Sequence, residues 1–266
     1  MEPLALIHGF SATPAMWEPM LPALQERFDV HVLGLAGHHG CAALPDGVEV
    51  SAGALFDALE RDLDAAGLET AHVCGNSLGG WAALELAKRG RARSCVALSP
   101  AGGWEADTKP AERLRGVFKR LHWTANWALP RSERLFTRPR LRKLAFRDAF
   151  EHGERMTPRQ AADMVRGSAL CPIYWDLFAA IERDGPPADF DGIACPTTIV
   201  WGSKDRILPL DTYSERIRRM VPQADFVVLE GAGHSPMIDE PEQLVRIVEE
   251  VASRAGQPVA AADPAV

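Results

Sequence analysis

The sequence predicts an α/β protein built on a six-stranded, mostly parallel sheet with a helical insertion. Three observations predict it. Short apolar runs alternate with amphipathic stretches, as expected for βαβ units whose sheet is covered on both faces. Six of those runs are β-rich. The alternation then breaks between about Gly103 and Phe190, where the chain reads as helical but out of rhythm with the strands. The division expected is a core of residues 1–102 and 191–255, an insertion over 103–190 that caps it, and a disordered tail over 256–266. With 266 residues the chain is long enough for one large domain carrying an insertion.

The elements follow in order. LALIHG (4–9) is the first apolar run. PAMWEPMLPALQERF (14–28) reads as a helix with Thr13 as N-cap and Pro14 in its first turn. DVHVLGL (29–35) is the second strand candidate. The helix over 51–67 opens on Ser51, sets Leu55, Leu59 and Leu63 on one face and closes at Gly67. AHVCG (71–75) is a strand, followed by a helix from about Leu78 to Arg89 that Gly90 stops. SCVALSP (94–100), TTIVWG (197–202) and DFVVLEG (225–231) supply the remaining strands. After Pro241, Leu244, Ile247, Val248 and Val251 recur at helical spacing.

Composition excludes several classes. A 47% apolar and 24% charged chain is globular, and a net charge of −7 argues against nucleic acid as a general partner. The opening MEPLALIHGF has no basic n-region or long apolar h-region, so no signal peptide is expected. No apolar run is long enough for a membrane span. The five cysteines are scattered and odd in number, with no C-x-x-C. No metal site and no disulfide are expected, and a cytoplasmic location fits best. The charge is uneven: residues 103–160 hold 14 Lys+Arg against 7 Asp+Glu.

The chemistry gathers around VCGNSLGGW (73–81). Ser77 follows a strand and precedes a helix, with Gly75 and Gly79 two positions away on either side. A serine on such a turn has its Oγ lifted clear of the sheet and faces a helix N-terminus. It needs a base. His234, in GAGHSP after the last strand, lies at the same sheet edge and is favoured over His38 or His39. The base needs an orienting carboxylate. Asp205, in WGSKD at the end of another strand, is favoured over Asp211 and Asp239, which read as helix-start acids.

With the order Ser77, Asp205, His234, each on its own strand-end loop, the chain resembles the α/β-hydrolase fold superfamily, serine esterase-like and with a helical cap. The elbow is G-N-S-L-G-G, the acid loop W-G-S-K-D and the histidine loop G-A-G-H-S-P. The resemblance implies a sheet of eight strands, of which this chain lacks the first two. It implies an oxyanion hole from two backbone N–H groups, those of Leu78 and, past the first strand in IHGFSAT, of Phe10. It makes His8 a structural residue of that turn. No cofactor is implied.

The function expected is hydrolysis of a carboxylic ester of small or medium acyl chain through an acyl-enzyme. Trp123, Trp127 and Trp175, with Trp104, Phe178 and Leu129, are expected to line the acyl pocket. Asn76 keeps a second reading open. G-N-S resembles the elbow of carbon–carbon bond hydrolases acting on meta-cleavage-type diketones. A third reading is a receptor-like binding module with little turnover. The dehalogenases and epoxide hydrolases of the superfamily are disfavoured, because they use aspartate where this chain has Ser77. The partner expected is a small-molecule ester or acyl substrate, without nucleic acid or stable membrane insertion.

Overall fold

In the computed structural model, which describes residues 1–106 and 108–256, the six apolar runs become six parallel strands. They are β1 (Glu2–Ile7), β2 (Phe28–Leu33), β3 (Ala71–Asn76), β4 (Ala92–Leu98), β5 (Thr197–Gly202) and β6 (Asp225–Leu229), in the order β2-β1-β3-β4-β5-β6. The side-chain period of two divides each strand between two cores. Ala5 and Ile7 face one side with Val73, Ala97, Ile199 and Trp201, under Leu55, Leu59, Leu63 and Tyr213. Leu4 and Leu6 face the other with Cys74, Val96, Leu98 and Val200, under Trp17, Leu24, Leu244 and Val248. Burial on both faces explains why these strands read as continuous apolar runs.

Ten α-helices connect or follow the strands: α1 (Leu21–Gln25), α2 (Ala52–Ala65), α3 (Leu78–Lys88), α4 (Lys109–Ala128), α5 (Ser132–Leu135), α6 (Pro139–Ala145), α7 (Pro158–Ala169), α8 (Tyr174–Asp184), α9 (Leu210–Met220) and α10 (Pro241–Ser253). Ser51 caps α2 as expected, its Oγ accepting from Ala54 N–H at 3.1 Å. The single helix expected over 14–28 does not form. It splits into a 3₁₀ turn at Pro14–Trp17 and the short α1, because Pro19 and Pro22 each remove a backbone donor. Thr13 precedes that turn without a side-chain cap bond.

Helices α4 to α8 all lie between β4 and β5. Part of this segment forms an apolar cluster of its own, with Ala125, Phe136, Phe150, Met156, Ala161 and Val165, joined by Ile238 from beyond β6, while Leu114 of α4 and Leu177 of α8 pack into the core on one face of the sheet. Of the tail, residues 257–266 lie outside the described residues.

Candidate active site

β3 ends on Asn76, and the chain turns at Ser77 into α3. Ser77 adopts φ 58° and ψ −115°, a strained backbone that persists only where its surroundings enforce it. Ser77 N–H donates to Leu98 O, and Ser77 O accepts from Ala101 N–H, both at 2.9 Å. A Cβ on Gly75 would collide with Gly79 O, and a Cβ on Gly79 with Ile7 O. Both positions must therefore be glycine for the turn to close against β1.

Ser77 sits against the loop that follows β1. A Cβ on Gly9 would lie 3.2 Å from Ser77 Cβ. The loop is held by Ala12 N–H donating to Gly9 O at 3.2 Å, with Ser11 at φ 57°. Among the hydrogen bonds of the described residues, none is donated by Phe10 N–H or Leu78 N–H to a protein acceptor.

His234 and Asp205 meet at the same sheet edge. His234 Nδ1 and Asp205 Oδ2 are 2.8 Å apart, and both residues are buried. Asp205 Oδ1 accepts from Ile207 N–H at 2.9 Å and Leu208 N–H at 2.7 Å. The carboxylate is thus fixed by its own loop and leaves Oδ2 to the imidazole, which must carry its proton on Nδ1. Asp211 stays at the start of α9, as its helix-start reading required.

Asn76 is not among the residues lining the cavity at Ser77. Its Nδ2 donates to Leu98 O at 3.2 Å and His234 O at 2.9 Å, while its Oδ1 accepts from Ser235 Oγ at 2.9 Å. The side chain ties the elbow to the histidine loop, and its amide donors are used up doing so. Asp239 is the residue that sequence reasoning passed over. Its buried carboxylate accepts from Gly233 N–H at 2.8 Å, His152 N–H at 2.7 Å and Glu151 N–H at 3.1 Å. It joins the histidine loop to the stretch after α6. A G-H-S-P-x-x-D spacing was the one signal available, and a helix-start acid explains that spacing equally well.

The other histidines take structural places. His8 Nδ1–H donates to Gly9 O at 2.9 Å, and Nε2 accepts from Leu35 N–H at 3.0 Å. Burial pushes the His8 imidazole down to about 3, with His38 adding to the effect and the bond to Gly9 opposing it. His38 lies with its ring centroid 5.2 Å from that of His8 and 6.0 Å from that of Phe10. Burial pushes it down to about 4, opposed in part by the nearby backbone of Ala36 and Leu35, although neither ring nitrogen makes a hydrogen bond of good geometry. His72 bonds Ser94 Oγ at 2.8 Å inside the sheet, and His31 bonds Asp29 at 3.2 Å. All five thiols are free, and burial raises each one. They are held protonated and are poor nucleophiles.

A cavity of about 310 Å³ opens at Ser77, with Phe10 and Leu78 beside it. Its apolar wall comes from Trp104, Leu114, Phe118, Phe178, Ile181 and Leu208. Arg115, Glu182, Arg183 and Asp184 line its exposed rim. The rim charges are paired: Arg115 with Glu182, and Arg183 with Asp184 and Glu49 at 2.7 Å each. Trp123, Trp127 and Trp175 are not in this wall, contrary to expectation. They are 69%, 59% and 47% exposed. On α4 the inward positions are Leu114 and Phe118, and Trp123, nine residues after Leu114, lies about 180° around the helix. Leu129 packs in the apolar cluster of the helical segment instead.

The sequence profile described as "Alpha/beta hydrolase family" matches residues 4–247. An epoxide hydrolase of Mycobacterium tuberculosis is 30% identical over 200 residues, covering 75% of this chain and 94% of that protein. A pimeloyl-[acyl-carrier protein] methyl ester esterase of Aromatoleum aromaticum is 26% identical over 268 residues, covering 93% and 97%. Among solved structures, a thermophilic esterase from Thermogutta terrifontis superposes with a TM-score of 0.72 at 23% identity, covering 96% of this chain and 90% of that one. That likeness speaks for the fold alone.

Proposed function

The chain belongs to the alpha/beta hydrolase family, and from that premise we propose that it is a serine hydrolase cleaving a carboxylic ester of small or medium, uncharged acyl group. The observation that carries the proposal is the pairing of His234 Nδ1 with Asp205 Oδ2 at 2.8 Å, in a loop that Asn76, the residue before the strained Ser77, ties to the elbow through His234 O at 2.9 Å. His234 Nε2 takes the Ser77 Oγ proton as Oγ attacks the carbonyl carbon, then delivers it to the leaving alcohol. Water repeats the cycle on the acyl-enzyme. Asp205 fixes the tautomer and stabilises the imidazolium. The Phe10 and Leu78 N–H groups hold the oxyanion, each worth about 3–4 kcal/mol in the transition state.

Three arguments narrow the reaction. Serine opening an epoxide would leave an ether, which water does not cleave; an aspartate would leave a hydrolysable ester. The epoxide chemistry named for the mycobacterial relative is therefore not proposed for Ser77. A meta-cleavage-type diketone carries a carboxylate from the opened ring, and both arginines at the cavity already have acidic partners. The Asn76 amide is engaged with backbone and Ser235, so it does not select the bond cut. Free, protonated cysteines favour a reducing, cytoplasmic setting.

A chain-length panel of p-nitrophenyl esters, run beside a vinylogous diketone, tests the reading. Ester turnover is expected, and Ser77→Ala should abolish it while the chain stays folded. A fluorophosphonate should label Ser77 alone. Retained turnover in Ser77→Ala, or no labelling with tight ligand binding, would overturn the proposal; the second result would favour a binding module.

A further inference from the structure

Trp123 and Trp127 stand one helical turn apart on α4 and are mostly exposed. Positions i and i+4 share a helix face. An indole left in water forgoes a large apolar burial, so two on one face call for a partner. Lys119, one turn before Trp123, is exposed. Arg131, Arg134, Arg138 and Arg140, which follow Trp127 through α5 and α6, are exposed too. None of these five cations enters an ion pair among the described residues. Residues 103–160 hold 14 Lys+Arg and 7 Asp+Glu, a net of +7; with −7 overall, the rest of the chain carries −14. The molecule is electrically lopsided, and the tryptophans belong to its positive stretch.

We propose that the α4 face bearing Trp123 and Trp127, with its neighbouring cations, is a docking surface for an anionic lipid bilayer. Indoles settle at the headgroup level, where the ring is buried and the N–H stays wet. Lysine and arginine in the same stretch are drawn to acidic headgroups. A second copy of the chain would bring two cationic stretches together, which Coulomb repulsion opposes. Protein partners characteristically seat tryptophans in grooves, whereas these two project from the outer side of one helix. Among the described residues no helix is long and apolar enough to cross a membrane, so the attachment is peripheral. The opposite face of α4 gives Leu114 and Phe118 to the cavity wall. One helix therefore separates the docking face from the cavity at Ser77. The docking does not rest on the chemistry proposed for Ser77.

The full chain is mixed with phosphatidylglycerol-rich vesicles or with pure phosphatidylcholine vesicles, and binding is read by co-sedimentation and tryptophan emission. Binding to the anionic vesicles is expected, with a blue shift and with weakening in high salt. The double variant Trp123→Ala, Trp127→Ala should lower the partition coefficient at least about tenfold. Arg138→Gln and Arg140→Gln should each lower it about fivefold, on anionic vesicles only. These positions are exposed, so an unchanged circular dichroism spectrum and Tm are expected of each variant and certify its fold. Absence of binding to anionic vesicles overturns the proposal. So does binding indifferent to the tryptophan pair, or a dimer in light scattering that the double variant dissociates.

Discussion

The edge of the sheet and the helical segment meet at one cavity but are held together by different physics. At the sheet edge Asn76, Asp205, His234 and Asp239 are all buried. Each is tied to backbone or to another buried polar group: Asp205 to two N–H groups, Asp239 to three, Asn76 to two carbonyls. In the helical segment most charged contacts join long side chains at the surface, such as Arg115–Glu182 and Arg183–Asp184, with Arg142 the buried exception that donates to Phe136 O and Glu154 O. Such exposed pairs contribute about 0–1 kcal/mol each, whereas an unsatisfied buried polar group costs about 1–3 kcal/mol. Groups that must hold a reacting geometry are anchored to the main chain. Groups that only shape a cavity are free to vary. Substitutions in the two regions should therefore separate cleanly.

The largest effect is expected at Asp205. In Asp205→Asn, Oδ1 still accepts from Ile207 and Leu208, so the fold survives. The amide then presents N–H to His234 Nδ1 and forces the proton onto Nε2, the nitrogen that accepts from Ser77 in the proposed mechanism. kcat for a p-nitrophenyl ester should fall about 10⁴-fold with little change in KM. A fall below about tenfold would remove Asp205 from the mechanism. Next comes Asp239→Ala, which strands the buried Gly233 N–H and two half-buried ones and loosens the histidine loop from residues 151–152. Urea unfolding should report a loss of about 3–5 kcal/mol, accompanied by a lower kcat. A stability within about 0.5 kcal/mol of the parent would show that water replaces the carboxylate there.

The same contrast governs what the sequence discloses. Ser77, Asp205 and His234 are legible because each ends a β-rich run, and strand ends of a parallel sheet converge on one edge. The glycines around Ser77 are legible because only they permit the approach of α3 to β1. The helical segment is not legible in this way. Tryptophan on an amphipathic helix reads alike whether it faces a cavity or water. Tertiary packing, of α4 against α7 and of Phe118 against Phe10 and Phe178, decides that Phe118 turns inward and Trp123 outward. Asp239 is missed because two of its three partners, the N–H groups of Glu151 and His152, lie 88 and 87 residues away in the chain. The prolines that break the helix expected over 14–28, Pro19 and Pro22, stand in the sequence itself.

His38 offers a smaller effect with a pH signature. Burial holds its pKa near 4 and that of His8 near 3, against 6.5 in the unfolded chain. Below pH 6.5 the unfolded chain therefore binds protons that the folded one refuses. Stability should fall with pH through this window, by about 1.4 kcal/mol per unit for each such imidazole. Because the His38 ring makes no hydrogen bond of good geometry, only weak approaches to the Ala36 and Leu35 backbone, His38→Leu gives up little polar interaction. It should be nearly neutral at pH 7 and flatten the decline between pH 6 and 4 by about one proton's worth. Urea midpoints measured across that range test this; an unaltered slope would mean His38 is protonated in the folded state.

The smallest change in stability, and the most informative about substrate, is expected at Glu182. It pairs with Arg115 across the cavity rim, from α8 to α4, and both side chains are largely exposed. Glu182→Gln should shift stability by less than about 0.5 kcal/mol. Its consequence is electrostatic: the Arg115 guanidinium loses its acidic partner while still lining the cavity. A neutral ester should be cleaved at nearly the parent rate. An ester whose acyl chain ends in a carboxylate should gain about two- to fivefold in kcat/KM, the worth of an exposed ion pair, and the gain should appear in KM rather than kcat because the charge lies away from the reacting carbon. Equal effects on both esters would show that the rim does not read charge. A loss of folding would contradict the distinction between the two regions, since it would give a rim ion pair the weight found only at the sheet edge.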